Sequence, residues 1–419
     1  MSELLSVEQV LTHVLARVSV LPAERVHVAH ALDRILAEDV NAPFPVPSFA
    51  NSAMDGYAVR AGDVAGATPE TPVFLTPVED IPAGRMAIRS VGVGEAARIM
   101  TGAPLPPGAD AVVPVEYTDD RWRAESVTPL PARVAIYRPV APGENVRPVG
   151  EDIQAGQTVL RAGVRLRPQD IGVLVSLGVA QVAVHRQPKV AILATGDELV
   201  DVDQPLAPGQ IHNSNSYMLA GLVQQCGGVP FRLPVARDTL ADVRARFEEA
   251  LALEPDFILS SAGVSVGTHD VVRTVVEQLG QVDIWRVNVK PGKPLAFGRV
   301  EQVPFFGLPG NPVSAMVTFD LFVRPALLKA SGADPLDVPL AQAVLEEDLT
   351  LDGRRTYLRV VLQERDGVLV ARTTGTQSSG ALMSMVLADG LLIIPEGHTY
   401  VTAGSHFTVR LLRPLTHSR

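Results

Sequence analysis

"KVAILATGDELV", residues 189–200, opens as a short apolar run and ends as a polar loop. Val190–Ala194 is too short for a typical helix. Closed by Thr195-Gly196-Asp197-Glu198, it reads as a buried strand. Helical and strand-like segments alternate beyond it. "NSNSYMLAGLVQQCGG" reads as a capped helix, "VPFRLPVARD" as a strand and loop, and "TLADVRARFEEALAL" as an amphipathic helix. "DFILSSAGVSVG" reads as a strand and Gly loop, and "HDVVRTVVEQLG" as a helix. This alternation predicts an α/β unit with a parallel, doubly wound sheet. Such sheets bind ligands at the carboxyl ends of their strands.

Upstream, "MSELLSVEQVLTHVLARVSV" carries Ser6 and Gln9 as a capping box. Val7, Val10, Leu11, Val14, Leu15 and Val18 stand at helical spacing. Residues 24–40 read as continuing helically. Pro43, Pro45 and Pro47 then force extended backbone. Residues 50–140, rich in Pro, Gly and short Val-rich runs, predict a small β-rich module. "PQDIGVLVSLG" reads as a short helix. Downstream, "GLPGNPVSAMVTFDLFVRPALLKA" closes the α/β unit, with Asn311 as cap and Pro312 in the first turn. From about residue 335 the texture is β again. "TYLRVVLQERDGVLVARTT" predicts a hairpin with Asp366-Gly367 in its turn, and "SHFTVRLLRPL" a last strand.

A chain of 419 residues predicts roughly three domains. The net charge of −10 repels nucleic acid and anionic membrane, so cations for an anionic ligand must be gathered locally. Cys226 is the one cysteine, which excludes an internal disulfide and a Cys-rich zinc site. A reducing cytoplasm fits that usage. No run approaches the ~18 apolar residues of a membrane span, and the N-terminus does not resemble a signal peptide.

Four loops come after strands of the α/β unit: "TGDE" (195–198), "ARD" (236–238), "SSAGVSVGTHD" (260–270) and "KPGK" (290–293). "LPGNP" (308–312) precedes a helix. Each alone reads as an ordinary turn or cap. Together they place Glu198, Asp238 and Asp270 with Lys290 and Lys293 at one sheet edge. Gly263 and Gly267 would let backbone amides approach a ligand, and the helix after Asn311 would offer free N–H groups to an anion. Cations beside carboxylates point to a phosphorylated ligand with a hard divalent ion such as Mg²⁺. Outside the unit, Asp55 and Thr101 sit in turn and Pro-loop segments. Arg354, Arg355 and Arg359 crowd one stretch, and Gln377, Ser378 and Ser379 share a polar loop. There is no Walker loop and no Gly-x-Ser-x-Gly elbow.

"PSFANSAMDGYAVR", "RIMTGAPLPPGADAVVPVE", "ENVRPVGEDI", "LATGDELV", "IHNSNSYML", "AGVSVGTHD", "VKPGKPLAFG", "GLPGNPVSAMVTF", "GRRTYLRV" and "ADGLLIIPEG" occur in this order. Together they make nearly the whole chain resemble the molybdopterin molybdenumtransferase family (MoeA and the E domain of gephyrin). The resemblance implies a discontinuous helical and linker domain (1–45 and 146–186) and an inserted β-rich domain (46–145). It further implies a molybdopterin-binding α/β domain (187–332) and a C-terminal β barrel (333–419), in a cytoplasmic homodimer with composite sites. It implies the final step of molybdenum cofactor synthesis, with adenylylated molybdopterin and molybdate as substrates, AMP as product and Mg²⁺ as cofactor. Partners would be the molybdopterin-adenylylating enzyme and apo-molybdoenzymes.

By matched motif, Asp55 and Thr101 would reach across to the other subunit's site, and Glu198, Lys290, Lys293 and Arg354 would act on substrate. Thr195, Gly196, Asp197, Ser214, Asn215, Gly263, Ser265, Gly267, Gly310, Asn311, Pro312 and Ser379 would bind the pterin and its phosphates. Glu198, Asp238 and Asp270 would hold the metal. The chain departs from the family at Ala262, where Gly is usual. Two rivals stand beside this reading. The α/β unit could adenylylate molybdopterin instead, or the chain could be a scaffold. Asp55, Thr101 and Arg354 favour insertion over the first, and the retained acids and lysines argue against the second. Tungstate could replace molybdate.

Overall fold

The computed structural model describes residues 4–120, 129–261 and 271–414. They divide into two compact units. One comprises residues 1–37, 163–166 and 182–419, and the other residues 38–162 and 167–181.

The first unit is built on the expected sheet. Its strand order is Val229–Arg232, Lys189–Ala194, Phe257–Ser261, Val303–Leu308, Pro294–Val300, Gly280–Arg286. The first four strands run parallel. Side chains alternate along a strand, so each strand feeds two cores. Val190, Ile192, Leu259 and Phe306 pack with Leu219 and Val223 of the Ser214–Gln225 helix and with Phe319 and Phe322. Ala191, Leu193, Ile258 and Phe305 pack on the other face with Val243 and Phe247 of the Leu240–Ala252 helix and with Val272 and Val276. Burying each such Phe stabilises by about 1.5–3 kcal/mol.

One strand, Pro294–Val300, runs against the others. Gly280–Arg286 pairs antiparallel with Pro294–Val300, which pairs antiparallel with Val303–Leu308. The second connection is only Glu301 and Gln302, with Glu301 at φ 52°, and a two-residue link cannot make a parallel crossover.

The expected N-terminal helix spans Val7–Ala16, with the Ser6–Gln9 capping box formed. It buries Val7, Val10 and Val14 in the same core as the sheet. The expected helix over 24–40 is not formed. Ala23–His27 is a strand, and residues 35–37 pair with neighbouring backbone. Leu36 N–H donates to Val164 O, Ala37 N–H to Ala183 O, and Ile35 O accepts from His185 N–H. Those tertiary partners satisfy the peptide groups that a helix would have satisfied internally.

The C-terminal strands close on themselves. Arg355–Arg365 pairs with Val368–Thr373, then Leu340–Leu345, His406–Leu411 and Gly390–Ile394, which returns to Arg355–Arg365. This is a five-stranded barrel. Asp366 and Gly367 sit at φ 52° and 76°, the mirror-image turn expected for a tight hairpin. A two-residue strand, Val289–Lys290, leaves the α/β sheet and adds in parallel to the barrel strand, opposite Arg355 and Thr356. Tyr357, Met385 and Leu391 of the barrel lie in the same buried cluster as the α/β helices.

The second unit holds a five-stranded sheet in the order Ala111–Pro114, Gly56–Val59, Glu95–Ile99, Val73–Ile81, Val134–Ile136. This matches the β-rich texture of residues 50–140. Its core gathers Tyr57, Val59, Leu75, Val113 and Ile136. Among the described residues no helix is long and apolar enough to cross a membrane.

Candidate functional site

Lys189–Ala194 is flanked by Val229–Arg232 on one side and Phe257–Ser261 on the other. The chain reverses its direction of winding there, between Lys189–Ala194 and Phe257–Ser261. Doubly wound sheets open a crevice at such a point. A cavity of about 400 Å³ lies at these strand ends, with Thr195 and Ser261 in its wall. The volume suits a small-molecule site.

Seven of the expected residues line it: Thr195, Glu198, Ser214, Asn215, Gly310, Asn311 and Pro312. Local structure fixes each. Ile211 N–H donates to Glu198 O at 2.8 Å, and Asn213 N–H to Val200 O at 2.9 Å, so the acidic loop is stitched to the start of the next helix. Asn213 caps that helix, its side-chain oxygen accepting Ser216 N–H at 3.3 Å. Asn215 donates from Nδ2 to Gly310 O at 2.7 Å. Its Oδ1 is buried and has no partner among the described residues. Buried acceptors are rarely left so. Gly196 has φ 151°, and a Cβ there would stand 2.6 Å from a Glu198 carboxylate oxygen. Only glycine allows Glu198 to fold back over the loop.

The cation loop is held from two sides. Val289–Lys290 is paired to the barrel. Gly292, at φ 109°, lies against the helix whose first turn lines the cavity; a Cβ on it would stand 2.6 Å from Thr318 Oγ1. Lys290 Nζ lies 3.2 Å from Asp352 Oδ2. Arg354 grips the same carboxylate with Nε at 3.2 Å and Nη2 at 2.5 Å, and donates from Nη1 to Val289 O at 3.3 Å. Lys290 and Arg354 therefore converge as the motifs suggested, but on an acid that sequence reading did not single out. The Arg354 guanidinium, with Lys290 beside it, holds the Asp352 carboxyl well below the usual carboxylate range despite partial burial. Lys293 is exposed.

A depressed carboxylate contributes stability that is fully present above its ordinary value of 3.8 and is lost as pH falls toward the lower folded value. The thermal midpoint of Asp352→Asn is therefore expected below that of the parent at neutral pH, with the gap closing below about pH 4. The Asp352 side chain is 39% exposed, so the gap should reflect no more than about 1 kcal/mol. Scanning both proteins from about pH 7 to pH 3 tests this; a gap that does not change with pH rejects it.

Other expected residues fall elsewhere. Asp238 N–H donates to Asp197 Oδ1 at 3.3 Å, which brings those two acids together, but neither lines the cavity. Gly263, Ser265, Gly267 and Asp270 lie outside the described residues. Among the described residues no three metal-type side chains converge. One of the amides expected to be free at the "GNP" helix start is occupied: Val313 N–H donates to Ser379 O at 3.1 Å. Ser379 thereby ties the barrel loop to that helix, and its neighbours Gly380 and Leu382 line the cavity. In the second unit Asp55 Oδ1 accepts from Thr101 N–H at 2.7 Å and Thr101 Oγ1 at 2.8 Å.

His212 and Ser261 also line the cavity and were missed by motif reading. So was the role of Arg359, which is 1% exposed and has no carboxylate partner among the described residues. It donates to Ser384 Oγ at 3.1 Å, Ser378 O at 3.0 Å and Thr376 O at 3.5 Å, and its own N–H donates to Gln377 Oε1 at 3.0 Å. Burial lowers its guanidinium to about 10. It stays charged at neutral pH and braces the loop that ends at the cavity wall.

Comparison with known proteins matches three stretches of the chain. The family model described as "MoeA N-terminal region (domain I and II)" matches residues 5–178. That described as "Probable molybdopterin binding domain" matches residues 191–329. "MoeA C-terminal region (domain IV)" matches residues 342–412. The chain is 40% identical over 391 residues to molybdopterin molybdenumtransferase 2 of Mycobacterium tuberculosis, covering 92% of this chain and 94% of that one. It is 40% identical over 386 residues to the molybdopterin molybdenumtransferase of a Nostoc species, covering 90% and 86%. A crystal structure of a molybdopterin biosynthesis MoeA protein from Pyrococcus horikoshii superposes with a TM-score of 0.81 at 33% identity, covering 99% of this chain and all of that one.

Proposed function

Because the chain belongs to the molybdopterin molybdenumtransferase family, a family of transferases in molybdenum cofactor biosynthesis, we propose that it takes adenylylated molybdopterin and molybdate and yields molybdenum cofactor and AMP. Molybdenum insertion itself is the family's activity. The single observation that carries the finer reading is the switch-point cavity beside a loop bearing Lys290 and Lys293 with Arg354 next to it. A polar pocket with an orphaned Asn215 oxygen suits a pterin with its N–H donors. Clustered cations suit a tetrahedral dianion and a pyrophosphate.

In this reading Thr195, Ser214, Asn215 and the Gly310–Pro312 turn hold the pterin and its phosphates. Lys290, Lys293 and Arg354 hold molybdate, with Ser379 beside the cavity. The incoming dianion takes the place of the Asp352 carboxylate on Lys290 and Arg354. The two dithiolene thiols displace one oxo ligand of molybdate, which leaves as water with their two protons. Attack on the phosphoanhydride by water or an oxo group breaks the P–O bond, and AMP leaves. Fixed positive charge lowers the barrier as negative charge shifts. The donors near the cavity are carboxylates, a hard set that suits Mg²⁺, which keeps waters and needs one or two such ligands. Glu198 and Asp238, with Asp270 outside the described residues, would hold it. When bound it would neutralise the pyrophosphate. Asp55 and Thr101 complete the site of the other subunit in a homodimer.

The test is AMP release from purified adenylylated molybdopterin, with Mg²⁺, with and without molybdate. Molybdate-dependent AMP accompanied by active cofactor is the expected result. Consumption of ATP with unmodified molybdopterin would show an adenylylating enzyme instead. Tight pterin binding without AMP would show a scaffold.

A further inference from the structure

A second cavity, of about 460 Å³, lies in the first unit. It is bounded by the Ser214–Gln225 helix, the helical run from Pro312 to Ala330, and the barrel. It shares no wall residue with the first cavity. Leu222, Met316, Phe319, Met385 and Leu391 give it an apolar body. Four charged residues stand in its wall: Asp320, Arg324, Arg410 and Arg413.

Their pairing is uneven. Asp320 is met by Arg410, and Arg413 is met by Asp389. Arg324 has no hydrogen bond or ion pair among the described residues, and its Nη1 is buried without a partner. Three guanidiniums thus face two carboxylates. Cys226 lines the same cavity but cannot supply the missing charge, because burial pushes its thiol up to about 11. A guanidinium beside an apolar chamber lacks one planar, singly charged acceptor, and a carboxylate matches its fork.

We propose that this cavity binds a small organic monocarboxylate, its apolar body against Met316, Phe319 and Leu391 and its carboxylate on Arg324. The volume falls in the range of small-molecule sites, and the lining has the usual form of an apolar chamber with one oriented polar group. No residue of the insertion site takes part, so this inference stands independently of the reaction proposed above.

Calorimetric titration of the full chain with octanoate, octanol and octylamine tests it. Octanoate is expected to bind once per chain, at least about tenfold more tightly than octanol or octylamine. Arg324→Met is expected to remove that preference, and Arg324→Lys to retain part of it. Leu222→Trp, which fills the chamber and leaves Arg324 in place, is expected to remove binding altogether. Circular dichroism of each variant distinguishes lost binding from lost folding. Equal binding of octanol and octanoate, or octanoate binding unchanged in Arg324→Met and in Leu222→Trp, overturns the proposal. A chain ending at Pro414 supplies the last arm. Octanoate binding that appears only in that truncated chain would show that residues 415–419 fill the cavity, and would also overturn it.

Discussion

Replacing Lys290 and Lys293 together with alanine is expected to lower molybdate-dependent AMP formation by about a thousandfold while leaving the fold intact. Lys290 is 44% exposed and Lys293 is exposed. Exposed ion pairs contribute about 0–1 kcal/mol, so the thermal midpoint should move by only about 1–2 °C. Activity is different. In the proposed reaction the two ammonium groups would act on a dianion and on the charge that shifts to AMP in the transition state. Losing one such contact commonly lowers the rate about a hundredfold or more. Arg354 remains and limits the loss. AMP release measured against molybdate concentration separates weaker binding from a slower step. A loss under about tenfold would remove both lysines from the anion site.

Arg359→Met is expected to have the largest effect on stability. The substitution keeps an apolar stem of similar length and deletes the fork. Thr376 O, Ser378 O and Ser384 Oγ then lose their donor in a buried setting. Stranding buried polar groups costs about 1–3 kcal/mol each, so a loss of about 3–5 kcal/mol is expected. For a chain of this size that is a fall of about 3–6 °C in the midpoint. Lysine restores the charge but not the fork, so Arg359→Lys should fall between the two. Because the braced loop carries Gly380 and Leu382 to the cavity wall, pterin affinity should weaken in both variants. Thermal unfolding and pterin titration read the two effects. A methionine variant within about 1 kcal/mol of the parent would show that the loop is held by other bonds.

Much of the molecule is written in local pattern. The Ser6–Gln9 box, the alternation from 189 to 330 and the Asp366-Gly367 turn each rest on interactions within a few residues, and each is present. Of the seven cavity residues, Thr195, Glu198, Gly310, Asn311 and Pro312 stand in loops where the switch-point rule places them, while Ser214 and Asn215 came from the matched motifs. The illegible remainder depends on distant partners. Residues 24–37 have a pattern compatible with helix, but backbone from 163–166 and 183–185 pairs with 35–37. Asp352 stands two residues before Arg354, an ordinary turn aspartate in sequence. Its meaning comes from Lys290, which reaches it only because Val289–Lys290 joins the barrel. Arg359 resembles any arginine on a strand until the barrel closes around it.

That short parallel pairing of Val289–Lys290 with Arg355–Thr356 makes the lysine loop a shared part. Its backbone belongs to the barrel, while Gly292 rests on a helix of the α/β sheet. A chain cut after residue 332 would keep both lysines and the cavity floor, yet its lysine strand would have lost its neighbour and Asp352. The aim of the cations is thus a property of two domains joined at one seam.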